Sequence, residues 1–160
     1  MGGAAAGRPA HAGGRLNIRL LTLVAGRVNR DIGTVLAPDD LSVDQWSVLD
    51  YLEATGPCTM TVLANATGIS GATLTRIVDR LVSRALVYRS ADRGDRRRVH
   101  VHLSERGRET TQELRPRIRA AEDRATAQLS AKERDELFRL LHRISTSSDP
   151  GAERATERDR

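Results

Sequence analysis

The sequence predicts a mainly α-helical chain carrying one small β-hairpin, and three observations predict it. Apolar residues recur every three or four positions over most of the chain. Two Ser-x-x-Gln/Glu pairs, Ser42 with Gln45 and Ser130 with Glu133, stand directly ahead of such stretches. The period falls to two only around a charged stretch that contains Gly94. The first two features are the faces and N-termini of amphipathic helices, and the third is a hairpin.

Leu16, Leu20, Leu23, Val24, Val28, Ile32 and Val35 define a first helix of about twenty residues, expected to end before Pro38. Ser42 and Gln45 cap a second, with Trp46, Leu49 and Leu52 inward and Gly56 as its stop. A short third helix is expected over 59–67, with Val62, Leu63 and Ala66 inward, broken by Gly68. Ser70 then caps a fourth, whose Leu74, Ile77, Val78, Leu81 and Val82 are expected to face the core. LVYRSA and RRVHVHL alternate like strands around the tip ADRGDR. Ser104 opens a long helix to about Leu129, with a kink expected at Pro116, and the Ser130–Glu133 box starts a last helix carrying Leu137, Phe138, Leu141 and Ile144.

Composition narrows the function classes. At 160 residues there is room for one domain with a real core. Lys and Arg number 26 against 21 Asp and Glu, a formal charge of +5, and Lys132 is the only lysine. Arginine suits bidentate contact with phosphate and guanine, which points mildly toward nucleic acid. Cys58 is alone, which excludes an intrachain disulfide and a cysteine metal cluster and suits a reducing compartment. No apolar run approaches the roughly 20 residues that cross a bilayer, so a cytoplasmic protein without membrane contact is expected.

The order helix, helix, short helix, turn, helix, hairpin is a winged helix-turn-helix, in which the second helix of the turn motif enters the major groove by its N-terminal end while the hairpin reaches along the duplex. The outward positions of the fourth helix are Gly71, Ala72, Thr75, Arg76 and Asp79, with Thr73 and Arg80 more lateral. Gly71 and Ala72 allow close approach to DNA, and Thr75, Arg76 and Arg80 offer donors to bases or phosphates. Amide groups at the helix start, with Ser70, favour a phosphate. On the hairpin tip, Arg93, Arg96 and Arg97 are the candidates for minor-groove and flanking phosphate contacts. Asp92 and Asp95 are poor DNA ligands and are assigned to bracing the tip.

The segments LSVDQWSVL, GISGATLTRIVDRLVSRALVYR, DRGDRRRV and LSERG, in that order and spacing, resemble the MarR family of dimeric transcriptional regulators. The resemblance covers nearly all of the chain between the terminal segments. It implies a winged helix-turn-helix with N- and C-terminal dimerisation helices: a domain over 15–145, a DNA-binding lobe at about 42–103 and dimerisation helices at about 15–36 and 104–145. The low-complexity stretch 1–14 and the stretch 146–160, which carries charge, Ser and Gly but no apolar stripe, are expected to be disordered tails. It also implies a homodimer and repression relieved by a small-molecule effector, bound in a cleft that Arg27 and Trp46 would line and that an arginine would make attractive to an anionic aromatic ligand. The wing departs from the common pattern in having both Arg93 and Gly94 between its aspartates. The peroxide-sensing branch carries its reactive cysteine in the first helix, where this chain has none.

The dimer has an independent case. Leu16 and Leu20 on the first helix, with Leu137, Phe138, Leu141 and Ile144 on the last, are more apolar surface than one small domain covers. Two-fold pairing would bury them and set two recognition helices one DNA turn apart, roughly 34 Å, over an inverted repeat.

Plainer roles stand beside these. The wing arginines alone equally suit a solvated turn, and Arg76 and Arg80 solubilising positions. Trp46 suits the core better than a ligand platform, and Cys58 an inert thiol better than a sensor. His100 and His102 share a strand face but lack a carboxylate or cysteine at ligand spacing, and His11 and His142 are remote, so neither a metal nor a cofactor is expected. A protein-interaction module or a non-specific DNA-binding protein is the alternative function. An enzyme is not expected, because no phosphate-binding glycine loop, nucleophile elbow or metal-ligand cluster is present.

Overall fold

The computed structural model describes residues 17–91 and 99–146. The tails, Leu16 and His11, and the wing-tip residues Asp92, Arg93, Asp95, Arg96 and Arg97 lie outside the described residues. The order is α1 (Ile18–Leu36), a 3-10 turn (Ala37–Asp39), α2 (Val43–Thr55), β1 (Cys58–Thr59), α3 (Met60–Thr67), α4 (Gly71–Ser83), β2 (Val87–Ala91), β3 (Val99–Leu103), α5 (Glu105–Ala125) and α6 (Ala131–Thr146).

Caps set most of the helix starts. Ser42 and Gln45 form the reciprocal box at α2, with Gln45 Oε1 accepting from the Ser42 amide at 2.9 Å and Ser42 Oγ from the Gln45 amide at 3.2 Å. Ser130 and Glu133 repeat it at α6. Asn17, Thr59 and Ser104 cap α1, α3 and α5 through single side-chain acceptors. Ser70 occupies the N-cap position of α4, but its hydroxyl bonds Thr73 Oγ1 at 3.0 Å rather than a backbone amide.

The core is aliphatic. Leu36 of α1, Val48 and Leu49 of α2, Leu63 of α3, Leu74, Val78 and Leu81 of α4, Val101 of β3 and Leu114 of α5 are fully buried or nearly so. Each such side chain contributes on the order of 1.5–3 kcal/mol of burial. Trp46 lies among them at 7% exposure. Three inward assignments are corrected: Val62, Ala66 and Val82 are exposed. Helix α3, at eight residues, wedges only Leu63 into the core. Val82 sits about 100° around α4 from the buried Leu81, beyond the rim of the inward stripe.

The hairpin gains a third strand that the sequence reading did not foresee. The antiparallel order is β1-β3-β2, with Cys58 opposite Val101 and Val87 opposite Leu103. Val87, Val101 and Leu103 point to the core, while Tyr88, Ser90, His100 and His102 share the outer face. There Tyr88 stacks on His102 at 4.8 Å, and Ser90 Oγ lies 2.7 Å from His102 Nε2.

Pro38 falls inside the 3-10 turn, in its first positions, where no amide bond is lost. Pro116 sits within α5 without ending it, and α5 stops at Ala125 rather than near Leu129. Gly107 explains the Gly of LSERG: a Cβ there would fall within the radius of the Leu86 carbonyl oxygen and 2.8 Å from Leu103 Cδ1. The start of α5 thereby lies directly against the beginning of β2.

Candidate nucleic-acid interface

Helix α3, a turn and helix α4 stand next to the sheet. Gly68 ends α3 at φ 68°, a left-handed conformation that glycine adopts without Cβ strain, and its amide bonds the Ala64 carbonyl at 2.9 Å. The turn launches α4 with Leu74, Val78 and Leu81 inward, so Gly71, Ala72, Thr73, Thr75, Arg76 and Asp79 stand exposed. No acidic residue lies in the first turn of α4. Its free amides and positive dipole end are therefore open to an anion. Thr75 Oγ1 donates to the Gly71 carbonyl at 2.9 Å. Among the described residues Arg76 has no ion-pair partner, in contrast to Arg80, whose Nη2 lies 2.9 Å from Asp40 Oδ2.

The far half of α4 is tied to both neighbours. Asp79 Oδ1 accepts from Arg89 Nη1 of β2 at 2.6 Å. Arg84 donates to the Asp39 and Asp40 carbonyls at 2.7 and 2.6 Å. Sequence reasoning missed Arg89, Arg84, Asp39 and Asp40. Alternation does put Arg89 on the α4 side of β2, two residues from the buried Val87, but no spacing rule joins Arg84 to a turn more than forty residues earlier.

Between α2 and α5, Arg115 lies 2.9 Å from Asp50 Oδ1 and 2.7 Å from Glu53 Oε2. Burial opposes ionisation of Glu53, but hydrogen bonding by Thr111 and Arg115, with the Arg115 charge, outweighs it and holds this carboxyl below its ordinary value. An open hollow along α5 is lined by Gln112, Arg115, Pro116, Arg119, Ala120 and Asp123. Neither Arg27, exposed on α1, nor the buried Trp46 lines it.

Leu20 on α1 is 49% exposed, and Phe138 on α6 reaches 73%. Leu137, Leu141 and Ile144 are exposed as well, and none of the described residues of α6 is buried. These two faces are apolar yet uncovered within one chain. Burial pushes the half-buried Cys58 thiol up, away from the reactive thiolate. Among the described residues no three His, Cys, Asp or Glu side chains gather as a metal site, and no helix is long and apolar enough to cross a membrane.

A helix-turn-helix flanked by a three-stranded wing defines a winged-helix nucleic-acid-binding fold. The model of the MarR family matches residues 39–98, from the end of the 3-10 turn across α4 and β2. The chain is 35% identical over 105 residues to the HTH-type transcriptional repressor NicR of Pseudomonas putida, a match covering 66% of each chain and so just under two thirds of that relative. Among solved structures it resembles Bordetella bronchiseptica BpsR, described for regulation of its DNA binding by 6-hydroxynicotinic acid, at 29% identity and TM-score 0.72 over 79% of this chain and 96% of that one. It also resembles a cysteine-to-serine mutant of Escherichia coli MarR complexed with operator DNA, at 28% identity and TM-score 0.71 over 79% and 91% of the two chains. The chain belongs to the MarR family of winged helix-turn-helix transcriptional regulators.

Proposed function

We propose that the protein is a homodimeric, sequence-specific DNA-binding repressor that acts on an inverted-repeat operator and is released by a small ligand. One observation carries the reading: α4 presents Gly71, Ala72, Thr75 and Arg76 beside an anion-receptive helix start, on a fold that aligns with a MarR–operator complex. Small residues at the helix start let the backbone approach the duplex, and Arg76 reaches base edges in the major groove. Ser70 and Thr73 flank the entering end. Arg93, Arg96 and Arg97 are assigned to the minor groove and its phosphates, with Asp92 and Asp95 bracing the wing.

The exposed apolar faces of α1 and α6 support the homodimer, with α1, α5 and α6 as its dimerisation layer and residues 42–103 as the DNA-binding lobe. The effector class is an aromatic carboxylate, in keeping with the regulation of BpsR's DNA binding by 6-hydroxynicotinic acid. Arg27, exposed on α1, supplies the charge, while Trp46, buried in the core, backs the site from behind rather than facing the ligand. A ligand of this kind acts by binding one arrangement of the lobes better than the other. The protein works as a cytoplasmic regulator rather than an enzyme.

Selection of random duplexes on the purified protein tests the reading. An enriched inverted repeat with half-sites about one turn apart is expected. No enrichment by folded, dimeric protein would overturn it in favour of non-specific DNA binding or a protein partner.

A further inference from the structure

The end of α1 is a meeting point for three guanidinium groups. Arg84, the C-cap residue of α4, straddles the turn through the Asp39 and Asp40 carbonyls at 2.7 and 2.6 Å, with its side chain 28% exposed. One helical turn earlier, Arg80 holds the Asp40 carboxylate. From the opposite side Arg117 of α5 donates to Asp39 Oδ2 at 3.2 Å and to the Val35 carbonyl at 2.9 Å. The last carbonyls of a helix have no partners within it, so Arg117 satisfies an acceptor that α1 itself cannot, and Arg84 does the same for two carbonyls of the turn that follows. Asp40 takes φ 51° and ψ 42°, a conformation Asp tolerates and most residues do not.

Exposed ion pairs contribute little to stability, and Arg80 with Asp40, at 58% and 75% exposure, is one. What the cluster does supply is geometry. Resting on the DNA-binding reading above, we infer that the 35–40 turn is the joint that fixes the angle of the recognition helix against α1 and α5, with Arg84 and Arg117 as positioning residues for DNA reading. Arg80 belongs to this joint rather than to the DNA contact surface. The joint lies where the elements proposed for dimerisation meet the element proposed to read bases, so its rigidity becomes the rigidity of the spacing between two recognition helices.

That spacing is measurable. One base pair added between half-sites moves them by about 3.4 Å and turns them by about 35°. The test is a duplex series built on the selected operator, with the spacer shortened or lengthened by one and two base pairs, read against wild type, Arg84→Gln, Arg117→Gln and the control Arg108→Gln. Wild type and the control are expected to prefer one spacer by roughly tenfold, and the two joint variants to narrow that to below about threefold with unchanged affinity for random duplex. A uniform loss over all spacers, or an unchanged profile, overturns the proposal, since a merely structural role scales every duplex alike. If Arg84→Gln fails to fold, Arg84→Lys, which keeps the charge but loses the second prong, is read on the same series with the same two outcomes. Wild-type protein that binds without any spacer preference overturns the inverted-repeat reading, and the joint with it.

Discussion

Asp79 on the recognition helix and Arg89 on the first wing strand are joined by a 2.6 Å hydrogen-bonded ion pair. The pair ties α4 to the hairpin, although its side chains are 56% and 35% exposed. Its contribution to stability is therefore below about 1 kcal/mol. Arg89→Gln is expected to leave the melting temperature nearly unchanged while narrowing the affinity ratio between operator and random duplex, as fluorescence anisotropy would measure. A preserved ratio would show that the wing holds its place without the pair.

Arg76→Ala is expected to cost about 1–3 kcal/mol on the operator and relax base preference at one position per half-site, if the contact is bidentate. The double variant Arg96→Ala with Arg97→Ala should weaken every duplex and flatten the dependence of affinity on salt. Titrations at several salt concentrations separate the two. Equal losses for Arg76→Ala on operator and random DNA would reassign it to phosphate.

Two backbone positions predict opposite signs. Gly107→Ala drives a methyl group into the Leu86 carbonyl, so it should destabilise by about 1–3 kcal/mol or more. Ala85 holds φ 55°, a strained conformation for a residue with a Cβ. Ala85→Gly relieves that strain against a modest entropic cost and should raise stability by up to about 1 kcal/mol. Denaturant titration decides both.

Glu53 makes stability depend on acid. Its carboxyl titrates below the ordinary 4.5 when folded, so the unfolded chain takes up the proton first. Its contribution is complete above about pH 4.5 and disappears as the pH falls through the folded value. Glu122 shifts the other way, through burial and then the Asp50 charge, in wild type and variant alike. The stability difference between wild type and Glu53→Gln should therefore shrink steadily below pH 4.5. A difference independent of pH would remove Glu53 as its source.

Phe138 at 73% exposure is the sharpest probe of self-association. Phe138→Asp should convert a dimer to a monomer in sedimentation velocity while the helical circular dichroism persists, and should weaken operator binding with it. A variant that stays dimeric would move the interface off this face of α6.

What the sequence made legible follows from the range of the forces involved. Helices α1, α2, α4 and α6, the hairpin and both capping boxes rest on contacts within four residues or on simple periodicity, and each could be read directly. The face of α4 came through for the same reason, except at Val82, where one residue of rotation decides. Strand β1 was invisible because two residues form it only when β3 is alongside. Trp46 sits in the core, the plainer of its two readings. The pairing of Arg80 with Asp40 was hidden because the two lie 40 residues apart in sequence, and no local rule brings them together.

Every polar side-chain tie from α4 to another element, among the described residues, lies toward its C-terminal end, at Asp79, Arg80 and Arg84. The last of them, at Arg84, is about 20 Å from the tip that would enter the groove, taking the 13 residues of α4 at 1.5 Å each. The polar grip on the helix is thus at its butt, while toward the tip the apolar packing of Leu74 alone holds it. A tilt of about 5° there sweeps the tip through nearly 2 Å over that length, enough to spoil a hydrogen bond to a base edge. On the proposed function, a regulator built this way would need neither to unfold nor to travel far in order to let go: an effector that shifted the grip by less than the width of an atom would dislodge the point.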